Sequence, residues 1–124
     1  MTVTVHHLNN SRSQRILWLL EELNTDYDIV PYQRDAETNL APPELKQVHP
    51  LGKSPLIEDN GLQVAESGAI IQYLCERHGG GSWLPEADTE DHVRHLEWMQ
   101  FGESSFFVPV MLKLYTGRLG DAAA

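Results

Sequence analysis

The sequence predicts an α/β fold in which helices flank a mixed sheet of four strands. Two strand-like runs, at positions 2–8 and 26–32, enclose a segment with helical periodicity. Two further short strands enclose Asn60-Gly61, a pair typical of hairpin turns because both residues tolerate positive φ. Strands joined through a helix are normally parallel and hairpin strands are antiparallel, so the sheet should contain both kinds of pairing.

The first helix is predicted to begin at Ser11, because Ser11 and Gln14 have the S-x-x-Q spacing of a capping box. Apolar residues then recur at helical spacing, and Asn24 marks the end of the helix. A short second helix is expected to start at Pro42 and Pro43, since proline suits the first helical turn.

The third helix is predicted to run from Ser67 to about Arg77, after two strands near residues 55–58 and 63–65. Ser67 is expected to be its N-cap, because a serine hydroxyl accepts hydrogen bonds from the N–H groups of the first helical turn. The loop before these strands and the start of this helix are expected to face one another.

The carboxy-terminal third is predicted to be helical. Glycines at positions 79–81 form a flexible break, so one domain is assigned to residues 1–80 and a second, incomplete one to residues 81–124. A long helical pattern begins near Asp88. Pro109 lies inside it and is expected to kink or split the helix, because proline removes a backbone donor and clashes with the preceding turn.

Composition excludes several classes of function. The chain has 124 residues and a formal net charge of −9, which argues against nucleic acid or an anionic membrane as a partner. It has no long apolar run and no signal-peptide pattern, so a cytoplasmic location is expected. The single cysteine, Cys75, excludes an internal disulfide and is expected to be a buried core residue. The cations Arg12, Arg15 and Lys53 lie near the start of the first helix and the loop before the third strand. They favour a small anionic ligand there, or else are ordinary surface charges.

Two stretches carry a resemblance to a known family. HPLGKSPLIED followed by GLQVAESGAIIQYL, and the earlier HHLNNSRSQRILWLLEELNTDYDIVPY, resemble the amino-terminal domain of the glutathione S-transferases. The resemblance covers Val3 to about His78. It implies a thioredoxin-like β-α-β-α-β-β-α domain, followed by the first helix of an all-α second domain. Most of that second domain is absent from the chain, which is therefore either a fragment or a shortened relative.

The resemblance implies a catalytic role for Ser11. A thiol attacks as the thiolate, and a hydroxyl donor at a helix amino terminus stabilises such an anion. Ser11 occupies the position that serine-type members of the family use after the first strand. Ser13 is the alternative donor, and Ser11 as a simple helix cap is the alternative without chemistry.

The resemblance also implies a glutathione-binding set. Ser67 would hold the γ-glutamyl carboxylate and Glu66 would accept from the ammonium group of the same moiety. Ser54-Pro55 resembles the cis-proline loop of the family, in which the residue before proline pairs with the backbone of the ligand. A cis Ser54-Pro55 bond is therefore expected. Lys53 would reach a glutathione carboxylate, or else is an ordinary surface lysine.

The function expected from this resemblance is glutathione transfer, in which the thiolate of the co-substrate glutathione attacks a small hydrophobic electrophile. Some members of the family reduce organic peroxides, so a peroxidase side activity is a further expectation. The rival hypothesis is a non-catalytic binding or assembly module derived from the same fold. A homodimer is expected, with no metal and no nucleic-acid or membrane partner.

Overall fold

A computed structural model describes residues 2–123. The described chain divides into two compact units, one that ends at Trp83 and one that begins at Leu84. The domain boundary expected between residues 80 and 81 stays a prediction.

The first unit has the predicted order of elements. They are β1 (Val3–Leu8), α1 (Ser13–Glu22), β2 (Tyr27–Tyr32), α2 (Leu45–Val48), β3 (Leu56–Asp59), β4 (Leu62–Ala65) and α3 (Ser67–His78). The four strands form one sheet in the order β2-β1-β3-β4. β1 pairs with β2 in parallel, whereas β1 with β3 and β3 with β4 are antiparallel. The fold is therefore the thioredoxin-like arrangement with a mixed four-stranded sheet.

The core of this unit joins the central strands of the sheet to α1 and α3. Its fully buried members are Val3, Val5, Ile16, Leu20, Ile57, Ile70 and Leu74. Burying one such side chain contributes about 1.5–3 kcal/mol, so these contacts hold both helices in place. Alternate residues of a strand point to one face, so His7 shares a face with Val3 and Val5, at the end of β1.

The starts of α1 and α3 differ from the prediction. α1 begins at Ser13, and the Ser11 hydroxyl accepts from the N–H of Ser13 at 3.2 Å, not from that of Gln14. The capping box is wrong, because the N–H of Gln14 pairs instead with the backbone carbonyl of Ser11 at 3.4 Å. The Ser11 hydroxyl also donates to the strand end, at Leu8 O. Ser67 is likewise the first residue of α3 and not its N-cap, which is Glu66 at φ 72° and ψ 122°.

The second unit is one continuous helical run with an irregular middle. It comprises α4 (Glu90–Gln100), a π-helical segment (Phe101–Phe106), α5 (Phe107–Gly117) and a short 3₁₀ helix (Gly120–Ala123). Pro109 is the third residue of α5, so the helix is not split at the proline, and the kink that was the other predicted effect stays a prediction. One turn before the proline the helix has π geometry, in which each N–H pairs with a carbonyl five residues earlier. Within residues 2–123, no helix has the length and apolar character needed to cross a bilayer.

Candidate functional site

An open cleft of about 160 Å³ lies on the first unit. Three chain segments line it: the start of α1, the loop before β3, and the junction of β4 and α3. The lining residues are Arg12, His49, Leu51, Lys53, Ser54, Pro55, Ala65, Glu66 and Ser67. The structure thus brings together all five residues that the sequence marked for binding, from Lys53 to Ser67. Lys53, Ser54 and Pro55 precede the hairpin of β3 and β4, and Glu66 and Ser67 follow it, so the antiparallel pairing of the two strands brings them together.

The loop before β3 is fixed to the end of β1 by one side chain. The Ser54 hydroxyl donates to the carbonyl of His6 at 2.7 Å and accepts from the N–H of Leu8 at 3.3 Å. The Ser54-Pro55 peptide bond is cis, as predicted. Pro55 is buried while Ser54 is half-buried, so the loop presents the residue before the proline to the cleft.

The start of α3 forms the opposite wall. Glu66 has a positive φ of 72°, and its carbonyl accepts the first helical bond from the N–H of Ile70 at 2.9 Å. The N–H groups of the first helical turn have no partners within the helix and carry the positive end of its dipole. Ser67 is buried at this end, 5% exposed. The cleft lining thus combines two cations, Lys53 and Arg12, and the positive end of α3 with the carboxylate of Glu66, in a chain of net charge −9.

Ser11 and Ser13 lie together where the chain passes from β1 into α1, and Ser13 is the first residue of that helix. The Ser11 hydroxyl donates to the carbonyl of Leu8 at 2.7 Å, and the two hydroxyl oxygens are 2.6 Å apart. Ser13 Oγ is also 2.7 Å from Nδ1 of His7. Ser13 is fully buried, whereas Ser11 is half-buried. Ser11 is not one of the residues that line the cleft, but its neighbour Arg12 is.

Sequence reasoning missed two features of this site. It did not mark His49 for the site, yet this residue lines the cleft, and its imidazole accepts from the N–H of Leu51 at 3.3 Å. It also missed the contact of His7 with Ser13. The strand alternation that separates His6 from His7 was a usable signal, since it places His7 on the side of α1.

The remaining reactive groups lie apart from the cleft lining. Cys75 is a free thiol and 6% exposed, as predicted for a core residue. Burial, with a smaller effect of Glu76, raises the pKa of this thiol, which disfavours the thiolate. The pKa of Tyr32 is also raised, mainly by burial and further by Glu58 and Glu44. Its hydroxyl pairs with Nδ1 of His6 at 2.9 Å.

The fold and the cleft together define a thioredoxin-like domain with an anion-attracting helix start opposite a cis-proline loop. The chain belongs to the glutathione S-transferase family, since the family described as "Glutathione S-transferase, N-terminal domain" matches residues 1–76.

Relatives from fungi and bacteria agree with this assignment. Glutathione S-transferase 1 of Saccharomyces cerevisiae is 40% identical over 97% of this chain and 53% of its own length. The crystal structure of a glutathione S-transferase from Actinobacillus pleuropneumoniae is 39% identical with a TM-score of 0.84, over 97% of this chain and 55% of that one. A glutathione transferase from Phanerochaete chrysosporium, solved with oxidized glutathione, has a TM-score of 0.66 at 25% identity, over 83% of this chain and 47% of that one. The chain therefore spans about half the length of the relatives it matches.

Proposed function

We propose that this protein is a glutathione transferase that activates the thiol of glutathione as a thiolate for attack on a small hydrophobic electrophile. The observation that carries the proposal is the cleft, where a cis-proline loop faces the start of α3 with Lys53 beside it. A tripeptide with two carboxylates and one ammonium group matches this distribution of charge and backbone groups. The solved relative from Phanerochaete chrysosporium holds oxidized glutathione, which supports the same ligand class here.

The binding roles follow from what each wall offers. Ser67 would donate its hydroxyl and backbone N–H to the γ-glutamyl carboxylate, at the positive end of α3. The exposed Glu66 carboxylate would accept from the ammonium group. Since the Ser54 hydroxyl is bonded to β1, its backbone is the part left to pair with the cysteinyl residue. The exposed Lys53 would pair with the remaining carboxylate.

Activation of the thiol falls to Ser11. Its hydroxyl lies just before α1, where a donor and the helix dipole both stabilise an anion. The thiol proton leaves to solvent, the sulfur anion forms a bond to the electrophilic carbon, and the leaving group departs or the adduct takes up a proton. Ser13 is fully buried, which favours Ser11 as the donor that meets the sulfur.

The test is glutathione binding by the 124-residue chain, measured by calorimetry, alongside conjugation of chlorodinitrobenzene and reduction of an organic hydroperoxide. Ser11→Ala should leave affinity nearly unchanged, raise the pKa of the bound thiol, and slow conjugation by about 100-fold or more. Ser82→Ala is the matched control, because the Ser82 hydroxyl also donates to a backbone carbonyl, that of Gly79 at 3.1 Å.

The outcomes separate the proposal from its rival. Glutathione binding without turnover in the unaltered chain would favour the non-catalytic module. Turnover that Ser11→Ala leaves intact, with the same pH profile, would remove Ser11 from the mechanism. Absence of glutathione binding would refute the proposed ligand. The electrophile, the homodimer and the cytoplasmic location stay predictions.

A further inference from the structure

Three short polar contacts form an unbroken chain from the end of β1 to the start of α1. Nδ1 of His7 lies 2.7 Å from Ser13 Oγ, Ser13 Oγ lies 2.6 Å from Ser11 Oγ, and Ser11 Oγ lies 2.7 Å from the carbonyl oxygen of Leu8. Heteroatoms this close require a proton between them, because two facing lone pairs would repel. The three contacts therefore need three protons, one for each.

Counting those protons fixes the direction of every bond. A carbonyl oxygen only accepts, so the Ser11 proton must lie on the contact to Leu8. The contact between the two serines must then hold the Ser13 proton. The contact between Ser13 and His7 is left with no hydroxyl proton, so the proton there must be carried by Nδ1 of His7.

We propose that His7 and Ser13 are positioning residues, which hold Ser11 as a one-way hydrogen-bond donor: His7 Nδ1–H donates to Ser13, Ser13 O–H donates to Ser11, and Ser11 O–H is the terminal donor for the glutathione sulfur. This inference rests on the proposed function, because it concerns how Ser11 meets the thiolate. Neither His7 nor Ser13 needs to touch the ligand.

The arrangement does two things to Ser11. Its oxygen accepts from both the hydroxyl and the backbone N–H of Ser13, at 2.6 Å and 3.2 Å. An oxygen that accepts two bonds is polarised and becomes a stronger donor through its own proton. Its acceptor positions are filled by Ser13, so Ser11 can act on a ligand only through its own proton. Donation to a sulfur anion means that the hydroxyl turns away from the Leu8 carbonyl, since the two oxygens would not stay 2.7 Å apart without a proton between them.

Ser13 has the burial expected of such a role. It is fully buried, so a bulk water cannot replace it in the chain, and its Oγ is only 3.3 Å from Leu8 O. That contact is longer than its 2.6 Å contact to Ser11, in agreement with donation to Ser11. If His7 were to carry its proton on Nε2 alone, the Ser13 proton would turn to Nδ1. The Ser11 proton would then be drawn toward Ser13 and away from a ligand.

The first measurement needs no ligand. Nitrogen chemical shifts of the His7 ring in the 124-residue chain should report a protonated Nδ1 at neutral pH, and Ser13→Ala should change them. An unprotonated Nδ1 in the folded protein would overturn the proposal directly.

The second measurement is the ultraviolet absorbance of the thiolate of bound glutathione, titrated against pH. Ser13→Ala and His7→Leu should each raise the thiol pKa of bound glutathione by about half a unit, which lowers the ratio of thiolate to thiol about threefold at a given pH, with unchanged affinity for glutathione. His7→Asn should restore the unaltered value, since its amide nitrogen stands as many bonds from Cα as Nδ1 and also donates. Ser82→Ala serves again as the control, and circular dichroism checks that each variant is folded.

The outcomes separate the positioning role of His7 and Ser13 from the proposed function itself. If Ser11→Ala raises the thiol pKa while Ser13→Ala and His7→Leu leave it unchanged, the positioning chain is wrong and the proposed function stands. If the unaltered chain binds no glutathione, both the positioning role and the proposed function are refuted. Should Ser13→Ala fail to fold, the pair His7→Leu and His7→Asn decides alone, because equal pKa values in those two variants would contradict a donor at Nδ1.

Discussion

Replacing Asp59 with alanine should destabilise the first unit by about 2–3 kcal/mol, because three hydrogen bonds converge on this carboxylate. Asp59 ends β3 and is 2% exposed. One of its oxygens accepts from the Tyr73 hydroxyl at 3.1 Å and from Nε2 of His78 at 3.0 Å. The other accepts from the Asn60 amide at 3.1 Å. Since Tyr73 and His78 belong to α3, the carboxylate fastens the end of that helix to the sheet.

The magnitude follows from the number of bonds and the exposure of the partners. Each bond contributes about 1 kcal/mol net, so three bonds lost together give about 3 kcal/mol. The His78 side chain is 23% exposed and can turn partly to water, which makes this sum an upper value. Asp59→Asn should cost only about 1 kcal/mol. The amide oxygen of the new side chain can still accept from Tyr73 and His78, and its NH₂ group can donate to the Asn60 side chain if that amide turns its oxygen toward it.

The assay is urea unfolding followed by far-ultraviolet circular dichroism and by tryptophan fluorescence, with coincident curves as the check on two-state behaviour. Tyr73→Phe should cost about 1 kcal/mol alone and almost nothing when added to Asp59→Ala, since both remove the same bond. A stability of Asp59→Ala within about 0.5 kcal/mol of the unaltered chain, or full additivity in the double variant, would refute the reasoning.

Three further predictions concern the ligand, the thiol and the second unit. Ser67→Ala should weaken glutathione binding about tenfold or more by calorimetry, since a hydrogen bond to a carboxylate contributes about 1.5–3 kcal/mol; unchanged affinity would remove Ser67 from the site. The pKa of Cys75 is raised from 9.0, mainly by burial, so the unfolded chain ionises first and stability should fall as pH rises above about 9. Cys75→Ala should flatten that fall in urea midpoints between about pH 8 and 10. Exposed Trp98, Phe106 and Leu112 favour the predicted homodimer, which a monomer in sedimentation at micromolar concentration would contradict.

Periodicity and turn residues were enough to predict the elements of the first unit. The alternation of β1 and the helical spacing of α1 depend on residues close in sequence, and Asn60-Gly61 specifies its turn locally. Asn60 adopts the positive φ of 52° that this turn requires. Once the order of strands is known, Ser54 and Ser67 must meet, because β3 and β4 form a hairpin that carries both ends to one edge.

The helix starts could not be predicted in the same way, because their side chains have partners outside the helix. The Ser11 hydroxyl donates to Leu8 at the end of β1 and accepts from the N–H of Ser13. The N–H of Gln14 pairs with the backbone carbonyl of Ser11, so the capping pattern that the spacing suggested does not form. The left-handed backbone at Glu66 replaces a serine cap before α3. A carboxylate residue at φ 72° has no strong local signal, since such positions normally favour glycine or asparagine.

The second unit shows the limit of a rule applied to one residue. Proline is unfavourable inside an ordinary helix, and Pro109 therefore predicted a kink or a split. The backbone instead takes π geometry over Phe101–Phe106 and continues as α5. Proline does lack the backbone N–H that a helix interior needs. A helix can nevertheless continue past it, because local changes such as a π-helical turn offer other pairings for the backbone carbonyls.

One residue of β1 connects the two parts of the candidate site. The N–H of Leu8 donates to Ser54 in the cis-proline loop, and its carbonyl accepts from Ser11 at the start of α1. The Leu8 side chain is 3% exposed, so packing fixes the peptide groups that hold these two serines. Because both contacts use the backbone, no side-chain pattern in the sequence could reveal them. Under the proposed function, a ligand held at Ser54 would meet a hydroxyl donor, Ser11, that the same strand holds in place.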